Sequence, residues 1–160
     1  MTREYVCPIC GALLNIKLSI VHDHYVGELE TMLNKKGYKT IREGKMPNGK
    51  WYAPDLFVLK KLYLERVIEV IVGDPYEDDE RSVKAKAQKI KDYYNPPEIV
   101  IFEPIKYLDR FYLDERKNYY KNNIGFEPKS YIEVQNYFAK KWKNEGLKIS
   151  FWNEEHLKTL

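Results

Sequence analysis

Apolar residues recur at helical spacing in two segments of the chain, and each segment is predicted to form a helix. The first segment, residues 19–36, ends before Gly37, which suits the left-handed conformation that closes a helix. The second segment, residues 80–94, ends at Asn95-Pro96-Pro97. Lysines surround the apolar stripe of this second helix, which consists of Val83, Ala87, Ile90 and Tyr94.

Shorter apolar runs predict the strands of a sheet. Residues 38–42 and 51–59 lie on either side of Asn48-Gly49, a dipeptide typical of hairpin turns. The runs 62–72 and 98–102 are rich in Val and Ile, which is typical of strands covered on both faces. These segments predict a β-meander that is followed, after a helix, by a buried strand.

The last third of the chain is rich in tyrosine and in charged residues. Its pattern predicts a helix over 106–120, a break at 122–125, a helix from the cap Ser130 to Asn144, a strand over 147–152 and a short helix after Asn153. The complete order of elements indicates a mixed α/β sheet with helices on both sides. At 160 residues the chain fits one domain.

The balance of charge permits a nucleic-acid partner without arguing for one. Lys and Arg number 27 against 24 Asp and Glu, a formal net charge of +3. The basic residues cluster within 35–50, 84–91 and 140–143, and each cluster is also what a solvated helix or loop would show. No apolar run has the length of a membrane span, and the first residues lack the apolar stretch of a secretion signal. The chain is therefore expected to be soluble and cytoplasmic, with no membrane partner.

Three carboxylates occupy defined positions in this pattern. Glu28 lies in the first helix, Asp55 at the second strand, and Glu69 within the apolar third strand. A carboxylate within an apolar strand is costly to bury unless it is paired or binds a cation. A hard divalent ion such as Mg²⁺ would explain two such acids on adjacent strands, because it binds carboxylate oxygens and offsets their repulsion. The alternative is a set of structural ion pairs with Arg42, Arg66 or the lysines.

The order of elements together with these acids resembles the PD-(D/E)XK nuclease superfamily, especially the small nucleases similar to archaeal Holliday junction resolvases. The helix glutamate of that superfamily corresponds to Glu28, its Pro-Asp pair to Pro54-Asp55, and its second acid to Glu69. The resemblance covers about residues 19–103. It departs from the superfamily pattern two residues after the second acid, where Ile71 replaces a lysine.

The resemblance implies a restriction-endonuclease-like fold in a single domain over residues 1–160. An αβββαβ core with a mixed α+β sheet and helices on both faces would occupy residues 17–103. A segment containing the two cysteines (residues 1–16) would precede the core, and a helix-strand extension (residues 104–160) would follow it.

The resemblance also implies a lysine beside the scissile phosphate, which some members of the superfamily take from the following helix. Lys84 and Lys86 flank the apolar stripe of the second predicted helix on opposite sides, and we favour Lys84. Each lysine is equally explained as part of a solvated helix face.

On this resemblance the chain is expected to be a nuclease that hydrolyses phosphodiester bonds of nucleic acid, DNA rather than RNA, with Mg²⁺ or Mn²⁺. Asp55 and Glu69 would bind the metal directly together with the backbone carbonyl of Val70, and Glu28 would bind it directly or through water. The metal would polarise the phosphate and lower the pKa of a water molecule. A homodimer is a further expectation, because relatives that cut both strands are commonly dimers.

The two cysteines, Cys7 and Cys10, form half of a zinc knuckle in the sequence Cys-Pro-Ile-Cys-Gly. His22 and His24 would complete a structural Zn²⁺ site, although their one-residue separation is atypical, and a second chain could supply two cysteines instead. Without zinc, the two cysteines would form a reduced pair, a disulfide or a vestigial knuckle. His24 also lies four residues before Glu28, so on a continuous helix it could line the nuclease site.

Two other functions fit the same sequence. One is a catalytically inactive nucleic-acid-binding protein of the same fold, in which the replacement of lysine by Ile71 ended the chemistry. Retention of all three acids favours the enzyme, because negative charge repels phosphates. The other is a small zinc-stabilised interaction module whose Tyr-rich last third forms an interface.

Overall fold

The computed structural model describes residues 2–6, 13–42, 53–77 and 79–159, and within these it describes the backbone alone for residues 2–6, 13–17, 107 and 109–117. Across the described ranges the chain is a mixed α/β protein with five helices and a five-stranded mixed sheet, beside a separate two-stranded sheet. The predicted Asn48-Gly49 turn and the cysteines Cys7 and Cys10 lie outside the described residues.

The elements alternate along the chain much as predicted. The strands are β1 (Thr2–Val6), β2 (Leu13–Lys17), β3 (Lys39–Arg42), β4 (Leu56–Lys60), β5 (Tyr63–Val70), β6 (Glu98–Phe102) and β7 (Ser150–Trp152). The helices are α1 (Leu18–Lys35), α2 (Val83–Tyr94), α3 (Ile105–Ile124), α4 (Tyr131–Asn144) and α5 (Glu154–Thr159). From α1 to β6 the order is helix, three strands, helix and strand, as predicted.

The main sheet has the strand order β3-β4-β5-β6-β7. β3, β4 and β5 form an antiparallel meander, whereas β6 pairs parallel to β5 and β7 parallel to β6. Helix α2 makes the connection that parallel neighbours such as β5 and β6 require. The carboxyl ends of β5, β6 and β7 therefore meet at one end of the sheet, beside the start of β4, and the β4–β5 turn lies at the opposite end.

Helices cover both faces of the sheet, as predicted. On one face Tyr25 of α1 contacts Phe102 of β6, with ring centroids 5.3 Å apart. On the other face Tyr94 of α2 meets Phe57 of β4 edge to face at 4.9 Å. The last half of β5 and all but the first residue of β6 are buried between these layers, which explains their almost continuous apolar sequence.

Several predicted boundaries are wrong. The second strand begins at Leu56 within the described residues, because Pro54 lacks an N–H group and the side chain of Asp55 is engaged by β5. Helix α3 continues through the predicted break and ends at Ile124, where Gly125 takes a φ of 81°. The last strand begins at Ser150 and not at residue 147. The antiparallel pairing of β1 with β2 was not predicted.

The predicted start of α4 is confirmed. Ser130 is its N-cap, and its hydroxyl accepts a hydrogen bond from the backbone N–H of Glu133 at 3.4 Å. None of the described helices combines the length and the apolar character needed to cross a membrane.

Candidate metal site at the end of the central strands

The pairing of β4 with β5 brings Asp55 and Glu69 together. Leu56 pairs with Ile68, so in an antiparallel ladder the preceding residue, Asp55, stands opposite Glu69. The Glu69 side chain is buried, with 5% of the residue exposed, and the Asp55 side chain is 12% exposed. Two carboxyl groups that are distant in sequence thus lie close together in a poorly solvated part of the structure.

Helix α1 adds an imidazole to the two acids. Nε2 of His22 lies 2.9 Å from Oδ1 of Asp55, and Nδ1 of the same ring lies 3.0 Å from Oδ1 of Asp23. The hydrogen bond with Asp55 raises the pKa of His22 above its ordinary value, although partial burial acts to lower it. Asp23 fixes the orientation of the ring, as carboxylates commonly do for metal-binding histidines.

Asp55 is held by contacts on both carboxylate oxygens. Its Oδ2 accepts a hydrogen bond from the backbone N–H of Val70 at 2.8 Å. Burial acts to raise the pKa of Asp55, but hydrogen bonds with His22, Glu69 and Val70 outweigh burial and hold the pKa below its ordinary value. Asp55 is therefore held next to Glu69 by a hydrogen-bond donor from α1 and another from β5.

The donor atoms of His22, Asp55 and Glu69 fit a single ion. One ligand atom from each residue lies within 4.8 Å of the other two. Atoms that each bind the same ion at about 2.0–2.3 Å must lie within roughly twice that distance of one another. These three residues are the group found with this spacing among the described residues, and two carboxylates with one imidazole are donors that a divalent metal ion can use.

A cleft of about 230 Å³ opens beside the three side chains. His22 and Glu69 line it together with the first turn of α1 and the segment that follows β5. Lys86 of α2 also lines the cleft, and its ammonium forms an ion pair with Asp74 at 2.5 Å. A cationic side chain therefore stands at the edge of the candidate metal site.

The structure distinguishes between Lys84 and Lys86, the two lysines that were predicted to replace the one absent at Ile71. Lys84, which the sequence favoured, pairs with Glu145 at 2.8 Å and lines a different cleft beside α4. Lys86 occupies the cleft of the candidate site. Ile71, which stands where the resemblance predicts a lysine, is buried, with 1% of the residue exposed.

Glu28 and His24 lie outside the cluster. Both are exposed on α1, and the ring of His24 stands edge to face against Tyr25. His22, proposed from the sequence as a zinc ligand, takes the place in the cluster that was predicted for Glu28. Val70, whose backbone carbonyl was predicted to bind the metal, lines the cleft, and its N–H donates a hydrogen bond to Asp55.

The position of His22 follows from the register of α1. The buried residues of α1 are Val26, Leu29 and Leu33, and His22 lies four residues before Val26. Residues spaced by three and four lie on one face of a helix, so His22 extends this buried stripe toward the end of the sheet. Glu28 is two residues from Val26 and points to another side. Ile20, which fits the apolar spacing of the sequence, is 59% exposed and lies off the stripe.

The arginines that could have neutralised the acids are paired elsewhere. Arg42 forms a bidentate pair with Glu30, at 2.9 and 3.1 Å. Arg66 lies 2.9 Å from Glu98 and stands between the rings of Tyr38 and Trp152.

Comparison with known proteins gives no match to the chain, whether with protein-family models, curated proteins or solved structures.

Proposed function

We propose that the protein is a metal-dependent nuclease of the PD-(D/E)XK type that hydrolyses phosphodiester bonds in DNA. The observation that carries this proposal is the convergence of His22, Asp55 and Glu69 within 4.8 Å of one another, beside Lys86, in one cleft. The order of elements from α1 to β6 supports a restriction-endonuclease-like core, with the acids on the adjacent strands that the superfamily uses.

His22, Asp55 and Glu69 would hold one divalent ion in this site. When bound, the ion would polarise the scissile phosphate and lower the pKa of the attacking water. Imidazole nitrogen is a poorer partner for Mg²⁺ than for Mn²⁺ and other transition metals, whereas carboxylates suit both. The donor set therefore favours Mn²⁺ over Mg²⁺ as the activating ion.

Side chains of the protein would orient the attacking water and stabilise the developing charge. Asp55 and Glu69 orient the attacking water, and the ammonium of Lys86 faces the charge that develops on the phosphate oxygens. The water oxygen bonds to phosphorus as the phosphorus bond to the leaving sugar oxygen breaks. The water gives up one proton to solvent and the leaving oxygen takes one, so the products are a phosphomonoester and a hydroxyl group.

Incubation of the purified protein with linear, circular and single-stranded DNA, in Mn²⁺, Mg²⁺ or EDTA, tests the proposal. Cleavage should require the divalent ion and should fall by at least about a hundredfold in Asp55→Asn and Glu69→Gln. Glu28→Gln is the matched control, since the exposed Glu28 should be dispensable. Cleavage that persists in Asp55→Asn, or that depends on Glu28 and not on His22, would contradict this assignment.

A catalytically inactive nucleic-acid-binding protein is the second candidate, favoured by the buried Ile71 in the lysine position. Its expected result is DNA binding without metal-dependent cleavage in any of these conditions. The proposed zinc-stabilised module depends on Cys7 and Cys10, and zinc analysis of protein purified without added metal would test it.

A further inference from the structure

The two-residue turn between β4 and β5 carries the most exposed large apolar side chain of the described residues. Lys60 pairs with Tyr63, so Lys61 and Leu62 form the turn. Leu62 is 92% exposed and Tyr63 is 78% exposed. Lys61 has a φ of 58°, a left-handed conformation that glycine adopts without cost and that other residues adopt rarely.

Each of these features is unfavourable for folding alone. A non-glycine residue held at positive φ is strained, and a fully exposed leucine gains nothing from burial. A turn selected for stability would carry glycine and polar residues here. Violations of local preference at one place are typical of a surface that is used for binding.

Five lysines lie at this end of the sheet: Lys60 and Lys61 at the turn, Lys39 on the neighbouring strand, and Lys35 and Lys36 at the end of the helix that leads into that strand. Helix α1 ends at Lys35 and leads into β3, where Lys39 pairs with Leu59 next to the turn. All five are exposed, and within the described ranges none of them forms an ion pair; the ammonium of Lys60 stands 6.0 Å from the ring centroid of Tyr38. We call this surface the basic hairpin end, and it consists of Lys35, Lys36, Lys39, Lys60, Lys61, Leu62 and Tyr63.

We propose that the basic hairpin end binds a single-stranded segment of nucleic acid, with the lysines on phosphates and the ring of Tyr63 stacked on a base. Proteins that bind single strands combine these two features, a positively charged track and an exposed aromatic ring. The choice of nucleic acid as the anion rests on the proposed nuclease function. The contact itself requires neither metal nor catalysis.

The distance to the candidate metal site fits this partner. Tyr63 and Glu69 are six residues apart on β5, which corresponds to about 20 Å at a rise of about 3.3 Å per residue. A strand stacked as in duplex DNA advances about 3.4 Å per nucleotide and would span this distance with about six nucleotides, whereas a more extended single strand would need fewer. The basic hairpin end would therefore hold the strand within about six nucleotides of the bond that is cut.

An anionic membrane is the competing partner for lysines beside apolar side chains. One leucine and one tyrosine on a two-residue turn bury little apolar surface, whereas stable membrane attachment takes a larger amphipathic face or a lipid anchor. A tyrosine ring, in contrast, is large enough to stack on one base.

Fluorescence anisotropy with labelled single-stranded DNA of 4 and 12 nucleotides, in EDTA, tests the proposal on the whole chain. We expect the 12-mer to bind, and Tyr63→Ala to weaken its binding roughly five- to hundredfold. The double variant Lys60→Gln/Lys61→Gln should reduce the slope of log affinity against log salt by about 1.4. Tyr119→Ala, at an exposed tyrosine of α3, is the control and should bind as the wild type does.

Three results would overturn the proposal. They are the absence of 12-mer binding by the wild type at low salt, equal binding by Tyr63→Ala and wild type, and equal losses in Tyr63→Ala and Tyr119→Ala. Sedimentation with phosphatidylserine vesicles tests the membrane as a partner. Vesicle binding that is lost in Tyr63→Ala, by a protein that does not bind DNA, would also overturn the proposal. Metal-free DNA binding that depends on Tyr63, in a protein that never cleaves, would retain this inference and refute only the nuclease.

Discussion

Nε2 of His22 lies 2.9 Å from Oδ1 of Asp55. Two adjacent ligands of an octahedral ion with bonds of about 2.1 Å are separated by about 3.0 Å. The spacing of this hydrogen bond would therefore also suit two ligands of one bound ion. Replacement of the hydrogen-bonding proton between them by a cation would require little movement of either side chain.

This geometry predicts that Mn²⁺ stabilises the folded protein. An ion that binds only the native state at a hundred times its dissociation constant adds about 2.7 kcal/mol to the free energy of unfolding. Urea denaturation with and without Mn²⁺ measures the increase. Glu69→Gln should lose most of it and Glu28→Gln should keep it; equal stabilisation of both variants would place the ion elsewhere.

The two candidate lysines should differ sharply in catalysis. Lys86→Met removes the cation at the edge of the site and should reduce the cleavage rate by about a hundredfold or more, in the range of other electrostatic stabilisers. Lys84→Met should leave the rate near that of the wild type, because Lys84 lines a separate cleft beside α4 and not the cleft of the candidate site. Initial rates on one DNA substrate with saturating Mn²⁺ compare them, and the reverse order would contradict the assignment of Lys86.

Glu77 should make the stability of the protein depend on acidic pH. Burial acts to raise the pKa of Glu77, but hydrogen bonds from the indole N–H of Trp142 and the ammonium of Lys141, both near 2.9 Å, hold the pKa below its ordinary value of 4.5. A lowered pKa in the folded state adds stability above about pH 4.5, and this stability is lost as the pH falls through the folded-state pKa.

Glu77→Gln should therefore lower the free energy of unfolding by about 1–2 kcal/mol at pH 7, and the difference from wild type should shrink as the pH falls below about 4.5. Urea titrations at several pH values measure this difference. Glu80→Gln, at an exposed glutamate three residues away, serves as the control. A difference that stays constant with pH would show that Glu77 acts by packing alone.

The buried hydroxyl of Tyr76 should contribute strongly to stability. Its O–H donates a hydrogen bond to Oε1 of Glu103 at 2.6 Å, and the side-chain N–H of Gln135 donates to the same oxygen at 3.1 Å. Tyr76→Phe removes one donor to a buried carboxylate and should cost about 1.5–3 kcal/mol. Tyr119→Phe, which alters an exposed ring, should cost much less in the same urea assay; equal losses would contradict the role of the Tyr76 hydroxyl.

The sequence predicted most of the sheet because each strand of the core is marked by its own composition. The run in β5 and the run in β6 are apolar enough to require cover on both faces, and the structure buries them. Glu69 was singled out for the same reason, since it interrupts an apolar strand, and Asp55 was singled out by its position at the second strand directly after Pro54. Such local signals need no knowledge of how the elements pack.

The helix residue of the site could not be chosen by the same reasoning. Whether His22 or Glu28 reaches the acids depends on which turn of α1 lies over the end of the sheet, and this is set by packing. The buried stripe of Val26, Leu29 and Leu33 would have indicated His22 if it had been extended by one turn. The choice between Lys84 and Lys86 likewise depends on the placement of α4, whose C-cap Glu145 pairs with Lys84.

The basic hairpin end and the candidate metal site lie at opposite ends of β5, so charge is distributed unevenly along this strand. Acidic side chains, among them Asp55, Glu69 and Asp74, gather at one end of the strand, and the lysines of the basic hairpin end gather at the other. In the field of a polyanion such a molecule is turned during diffusion so that its positive end leads. The first encounter would then tether the strand, and the acidic end would approach a substrate that is already held.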